Sequence, residues 1–142
     1  MQKSVFLLFW FISSFIMVLT AQNLKKHQWN KRVILMMADS FENKNLVTQI
    51  AYFKDQKKEL SERKIIIYHV TPNYYRKEGG KNHLELGQAT IYQEYHRSSE
   101  DFSMVLIGLD GGVKKNFDQP QPPEVVYELI DSMPMRRREM EN

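Results

Sequence analysis

The sequence predicts a mixed α/β fold with the element order β-α-β-(α)-β-β-α. Two almost wholly apolar runs of strand length, at 32–38 and 64–70, are separated by a segment with helical spacing of its apolar residues. A later Asp-Gly-Gly turn separates two further strand-like runs. The chain has 142 residues, and about 150 residues is a reasonable length for one compact domain. One folded domain is therefore expected over residues 22–142, after a short leader.

The first strand is predicted at Arg32–Ala38, where a continuous apolar run is typical of a strand buried on both faces. Asp39 and Ser40 follow, with Glu42 three residues after Asp39, and this pattern is typical of a capped helix start. We therefore predict that Asp39 and Ser40 cap one helix from about Phe41 to Glu62. Its apolar positions fall at helical spacing: Leu46, Ile50, Phe53 and Leu60.

The second strand is predicted at Lys64–Val70, and a strand-helix-strand order indicates a parallel pair with a right-handed crossover. Thr71–His83 is rich in turn residues and is predicted to be an exposed loop. Leu84–Arg97 is expected to hold a short helix. The third strand is then predicted at Phe102–Gly108.

The chain closes with a hairpin and a helix. Asp110, Gly111 and Gly112 are predicted to form a tight turn into an antiparallel fourth strand at Val113–Phe117. Pro123 suits the first turn of the last helix, which Pro134 should end. A parallel unit followed by a hairpin and a helix is the layout of a thioredoxin-like three-layer sandwich.

Composition excludes several classes of function. Lys and Arg number 20 against 17 Asp and Glu, for a formal charge of +3, and hydrophobic residues make up 42% of the chain. These values argue against disorder and against a polybasic nucleic-acid binder. The chain has no cysteine, which excludes disulfides, thiolate nucleophiles and Cys-ligated metals built from its own residues.

The missing thiol matters most where a thioredoxin-like oxidoreductase carries one, at the helix start after the first strand. That junction contains Asp39 and Ser40, and an alcohol does not cycle through a disulfide. The proline expected just before the third strand is also absent from Ser98–Phe102. Thiol redox activity is therefore excluded.

The first 21 residues have the layout of a signal peptide. Lys3 precedes an apolar run from Val5 to Leu19, followed by the small and polar Thr20, Ala21 and Gln22. The run is shorter than the roughly 20 apolar residues of a spanning helix. We expect cleavage after Ala21 and export to the periplasm, with secretion or an uncleaved amino-terminal anchor as the alternatives. No membrane span is expected after cleavage.

Two carboxy-terminal segments resemble a known family. They are Ile107–Lys114, which reads IGLDGGVK, and Leu129–Met140, which contains MPMRRREM. Weaker matches extend to Trp29–Val33, Gln49 and Glu62–Lys64. Together they resemble the domain of unknown function numbered forty-one seventy-four, a family of exported thioredoxin-like domains. The resemblance implies this fold and export, and it implies no reaction.

Arg136, Arg137 and Arg138 are the strongest local charge signal in the sequence. They are candidates for gripping a carboxylate, phosphate or anionic polysaccharide, because guanidinium groups bind oxyanions through paired hydrogen bonds. The alternative is a structural clasp in which Asp131, Glu139 or Glu141 pairs with them near a helix end. The structural clasp is the favoured interpretation.

A metal site is not expected from the histidines. His69, His83 and His96 lack the i, i+4 spacing of a helical ligand pair. No cofactor is expected. The sequence therefore favours an exported, non-catalytic binding or envelope-associated accessory module with a protein, anionic small-molecule or polysaccharide partner, and no nucleic acid. The alternative is an enzyme with non-thiol chemistry on an anionic substrate held by the arginine cluster.

Overall fold

The computed structural model describes residues 22–80, 84–85, 91–96 and 101–142. The predicted leader at 1–21 lies outside the described residues. The described elements, in chain order, are α1 (Gln22–Lys25), β1 (Arg32–Ala38), α2 (Lys44–Phe53), α3 (Lys57–Glu62), β2 (Ile65–Val70), β3 (Tyr74–Lys77), β4 (Leu84–Glu85), α4 (Ile91–Tyr95), β5 (Phe102–Ile107), β6 (Val113–Phe117), α5 (Pro123–Asp131) and α6 (Pro134–Glu141). In the described ranges no helix combines the length and the apolar character that crossing a membrane requires.

The strands form one mixed sheet in the order β4-β3-β2-β1-β5-β6. β1 pairs with β2 in parallel, with Arg32 opposite Ile65. β5 pairs antiparallel to β1 on the other side, and β6 pairs antiparallel to β5. The four strands β2-β1-β5-β6 are the predicted parallel unit and hairpin, and the thioredoxin-like α/β fold is confirmed.

Both faces of β1 are buried, as its apolar run predicts. Alternate residues of a strand point to opposite faces, so its even-numbered and odd-numbered residues enter two separate cores. Ile34 and Met36 pack in one core with residues of α2 and α5, whereas Val33 and Leu35 pack in the other with Ile91 of α4. The sheet is thus the middle of three layers.

The helix after β1 differs from the prediction at both ends. It begins at Lys44, and its cap is Asn43, whose side chain accepts hydrogen bonds from the backbone N–H groups of Asn45 and Leu46. The predicted caps Asp39 and Ser40 are therefore wrong, because these residues belong to the turn that precedes the helix.

The predicted single helix is also two helices. α2 ends at Phe53, and Lys54 is extended while Asp55 adopts a left-handed φ of +65°. α3 then begins at Lys57. Leu60 of α3 packs against the same core as Phe53 of α2.

The predicted loop at Thr71–His83 contains β3, so that prediction is wrong. Tyr74–Lys77 pairs antiparallel to β2, with Arg76 opposite His69. The backbone N–H of Thr71 donates to the carbonyl oxygen of Tyr74 at 2.7 Å, which closes a tight hairpin. The turn residues of this segment thus mark a reversal between two strands.

Two further elements refine the prediction. The segment predicted to hold a short helix contains β4 and then α4, although residues 86–90 and 97 lie outside the described residues. Pro134 follows the end of α5 as expected, and it is also the first residue of α6. Proline suits this position because the first helical N–H has no intrahelical acceptor.

Candidate functional site

The junction between β1 and α2 is where a thioredoxin-like enzyme carries its reactive thiol. Here the backbone N–H of Asp39 donates to the carbonyl oxygen of Asp101 at 3.3 Å, and Asn43 Nδ2 donates to Asp39 Oδ1 at 2.9 Å. Asp101, immediately before β5, is not a proline; Ser98–Glu100 lie outside the described residues. The junction is a hydrogen-bonded turn built of carboxylate, hydroxyl and amide groups, and the sequence holds no cysteine.

The arginine triplet lies on α6, and its members have different environments. Arg136 is buried, with 4% of its surface exposed. Its Nε donates to Asp131 Oδ1 at 3.0 Å, and its Nη1 and Nη2 donate to the backbone oxygen and Oε1 of Glu62, each at 3.1 Å. These bonds join α6 to the ends of α5 and α3.

Arg137 and Arg138 are exposed, and neither side chain forms an ion pair with another residue in the part of the chain that the structure describes. The helix places consecutive residues about 100° apart, so only one of three successive side chains faces the protein. The structure thus brings together Arg136 and Asp131, and leaves Arg137 and Arg138 toward solvent.

Asp131 bridges two arginines. Besides Arg136, it accepts hydrogen bonds from Arg63 Nε and Nη2, the latter at 2.6 Å to Oδ2. Burial by itself raises the pKa of Asp131, but the hydrogen bonds from Arg63 and Arg136 outweigh it and lower that pKa below its ordinary value. The guanidinium of Arg63 also lies 4.5 Å from the centre of the Tyr127 ring.

Glu139 is the second acceptor in this network. It accepts from Arg32 Nη1 at 3.1 Å and from Lys64 Nζ at 3.2 Å, and Arg136 Nη1 lies 3.6 Å away. Burial by itself raises the pKa of Glu139, but the hydrogen bonds from Lys64 and Arg32 outweigh burial and lower that pKa below its ordinary value. We call the set Arg32, Arg63, Asp131, Arg136 and Glu139 the carboxy-terminal clasp, because it fixes α6 to the start of β1.

The predicted hairpin turn at Asp110–Gly112 is present between β5 and β6. Asp110 Oδ1 accepts from the backbone N–H of Gly112 at 3.0 Å, and Oδ2 accepts from Lys114 Nζ at 2.6 Å. The hydrogen bond from Lys114 lowers the pKa of Asp110. Gly111 has a φ of +79°, a conformation that glycine adopts without steric cost.

A cavity of about 330 Å³ lies between this hairpin turn and the start of α6. We call it the motif cavity, since its walls come from both carboxy-terminal segments quoted above. Its lining residues are Arg32, Gly108, Leu109, Asp110, Lys114 and Met133–Met135. Segments about 25 residues apart in the sequence thus form one concave surface.

The described histidines do not converge on a metal site. His69 is buried, with Nε2 2.7 Å from Glu78 Oε2 and Nδ1 3.3 Å from Arg76 Nη2. His96 Nδ1 lies 2.8 Å from the hydroxyl of the buried Ser103. No group of three potential metal ligands occurs in the described ranges, and His83 lies outside them.

The sheet order and the cysteine-free junction define a thioredoxin-like domain without a thiol centre. The chain belongs to the family described as domain of unknown function DUF4174, whose model matches residues 23–139. The predicted family is confirmed.

A relative of this chain is coiled-coil domain-containing protein 80 of Danio rerio. It is 30% identical over 135 residues, which cover 82% of this chain and 15% of that protein. The chain therefore corresponds to about 15% of the relative's length. The similarity is to one part of a much longer protein.

Sequence reasoning missed some members of the clasp. Arg32 and Arg63 are not predicted as members, whereas Glu139 is among the predicted partners of the arginine triplet and does lie in the clasp. One signal was available for Arg32, because a charged residue opens an otherwise apolar strand predicted to be buried on both faces. Such a charge needs partners, and the partner Glu139 lies 107 positions along the chain.

Proposed function

We propose that this chain is an exported, non-catalytic thioredoxin-like domain that acts as a binding or envelope-associated accessory module. One observation carries the proposal: the turn between β1 and α2 holds Asp39 and Ser40 in place of a thiol, in a chain with no cysteine. Asp39 is bonded to Asn43 and to Asp101, so its groups stabilise the turn. The fold is retained without the atoms of thiol-disulfide exchange.

Export is the second part of the proposal. Its support is the leader at residues 1–21, with one positive residue, a short apolar run and a small residue at Ala21. The periplasm is the proposed destination, with secretion or an uncleaved anchor as alternatives. The single domain is proposed to comprise residues 22–142.

The alternative enzyme would hold an anionic substrate with the arginine triplet. The geometry weighs against this use of Arg136, because Asp131 and Glu62 already occupy its guanidinium. Arg137 and Arg138 remain exposed. A partner bearing carboxylate, phosphate or anionic polysaccharide is still compatible with these two side chains.

Export is tested by expressing the full chain with a carboxy-terminal tag and measuring the mass of the product in each cell fraction. We expect an exported protein that begins at Gln22. Full-length protein confined to the cytoplasm would contradict export.

Binding is tested with the purified exported protein as bait for envelope extract, beside a screen of hydrolase substrates. We expect a reproducible partner and no turnover. A matched pair of variants, Arg137→Ala/Arg138→Ala and Lys57→Ala/Lys58→Ala, removes two exposed charges at different places and shows whether α6 contributes to capture. Turnover that copurifies with the protein, together with no reproducible partner, would refute the proposal.

A further inference from the structure

We propose that the motif cavity binds an oxyanion, a carboxylate or phosphate group, carried on a small apolar body, with Arg32 as the anchoring residue. The inference rests on the proposed function as a binding module and names the ligand class of one site. It uses residues that the arginine triplet does not include.

Arg32 has an unused hydrogen-bond donor at Nε. Only 1% of the residue is exposed, and Nη1 donates to the Arg63 carbonyl oxygen at 2.8 Å and to Glu139 at 3.1 Å. Its Nε is buried and has no hydrogen-bond partner in the part of the chain that the structure describes. A buried charged donor without an acceptor is costly and rare in folded proteins. Nε and the adjoining Nη2 form the edge with which arginine grips a carboxylate or phosphate through two parallel bonds.

The start of α6 faces the same cavity. Met133 is its N-cap residue and makes no side-chain cap hydrogen bond, and Pro134 is the first helical residue. The N–H groups of a first helical turn lack acceptors within the helix and carry the positive end of its dipole. Met133, Pro134 and Met135 line the cavity together with Arg32. The helix start and the guanidinium therefore favour an anion at one place.

The two charged residues on the remaining wall neutralise each other. Lys114 and Asp110 both line the cavity, and they pair with each other at 2.6 Å. Asp110 also accepts from the backbone N–H of Gly112, so its carboxylate is already compensated. Glu139 contacts Arg32 on Nη1, away from the Nε edge. Glu139 therefore balances the charge of Arg32, and the Nε donor is the group of Arg32 that lacks an acceptor among the described residues.

The rest of the wall is apolar. Leu109, Met133, Pro134 and Met135 contribute to it, and methionine adapts its shape to different apolar groups. A volume of about 330 Å³ is at the lower end of the range of small-molecule sites. The cavity therefore suits a short organic anion, with its charged group at Arg32 and its chain against the methionines.

The test uses isothermal titration of the purified exported protein with hexanoate, hexyl phosphate, inorganic phosphate and the neutral hexanol. Binding of either hexyl anion but not of hexanol is expected, and comparison of the two anions identifies the preferred headgroup. Inorganic phosphate alone is expected to bind more weakly, because it lacks the apolar body. No binding of either hexyl anion, or equal binding of hexanol, would overturn the inference.

A matched pair of variants locates the site without disturbing the buried Arg32. Met135 lines the cavity and is 37% exposed, whereas Met140 is on the same helix, is 52% exposed and is not among the lining residues. Met135→Glu should raise the dissociation constant at least about tenfold by charge repulsion, and Met140→Glu should leave it unchanged. Equal effects of the two substitutions would overturn the site.

These experiments distinguish a failure of the motif-cavity proposal from a failure of the proposed function. If Met135→Glu leaves anion binding and partner capture intact, the site is wrong while the binding module stands. Turnover without capture would refute the module itself. Both variants are checked for unchanged thermal unfolding, so that a loss of binding is not a loss of fold.

Discussion

Arg136 and Arg137 are adjacent, chemically identical residues of one helix, and the structure predicts opposite consequences for their removal. Arg136→Ala deletes a guanidinium that makes three hydrogen bonds, at 3.0 Å to Asp131 and at 3.1 Å to two oxygens of Glu62. Arg137→Ala deletes an exposed side chain. The pair therefore isolates the effect of burial from that of charge and helix propensity.

The magnitude follows from what each partner loses. Breaking a buried ion pair costs about 3–5 kcal/mol when a charge is left without a partner. Here Asp131 keeps Arg63, and the side chain of Glu62 is 53% exposed and regains water, so neither carboxylate is left uncompensated. We therefore expect a loss below that range, about 2 kcal/mol, which corresponds to a decrease of roughly 8 °C in Tm. Arg137→Ala should change the free energy of unfolding by less than about 0.5 kcal/mol.

The assay is urea unfolding of both variants and the parent protein at pH 7, followed by far-ultraviolet circular dichroism. A double-mutant cycle with Asp131→Asn should give a coupling energy of at least about 1 kcal/mol for Arg136, because the two side chains are in contact. The same cycle with Arg137 should give none. Equal losses for Arg136→Ala and Arg137→Ala would show that Arg136 is not held in the clasp.

Three further outcomes are expected. Asn43→Ala should destabilise the protein by about 1 kcal/mol in urea unfolding because Asn43 is the helix cap, whereas Ser40→Ala should have little effect. A larger loss of stability for Ser40→Ala than for Asn43→Ala would instead support Ser40 as the cap. Gly111→Ala should cost about 1–2 kcal/mol because its φ is +79°, and an unchanged Tm would contradict this strain. Asp131 and Glu139 have folded-state pKa values below their ordinary 3.8 and 4.5. Their ionised forms therefore stabilise the folded protein above those ordinary values, and this stabilisation is lost as the pH falls through the lower folded values. A Tm that stays constant from pH 7 to pH 3 would refute this prediction.

The central strands were predictable because their signal is local. After Arg32 the residues of β1 are apolar without interruption, and only a strand covered on both faces buries such a run. The hairpin turn was predictable for the same reason, since Asp110, Gly111 and Gly112 specify a turn from their own conformational preferences. In each case the information lies within a few consecutive residues.

The helix cap was not predictable in this way. Asp39, Ser40 and Asn43 are all good cap residues within five positions, so local preference does not choose among them. The structure ties both Asp39 and Asn43 to the carbonyl oxygen of Asp101, which lies 58 positions after Asn43. This distant contact accompanies a turn at residues 39–42 and a helix that begins after it.

β3 was missed because its residues are partly exposed and follow a cluster of turn residues. Its four residues, Tyr74–Lys77, owe their strand conformation to pairing with β2 on one side and β4 on the other. Short strands at the margin of a sheet have little hydrophobic pattern of their own. Their presence depends on the neighbouring strand.

The sequence by itself determined the α/β class, the parallel β1–β2 unit and the absence of thiol chemistry, because apolar runs and residue identities are local facts. Only the tertiary structure decided which of three consecutive arginines is buried, since that depends on the rotation of α6 against α5 and α3. It also brought Arg32 beside Met133–Met135 at the motif cavity. Side chains about 100 positions apart meet only when the whole sheet has formed, and no local pattern specifies that meeting.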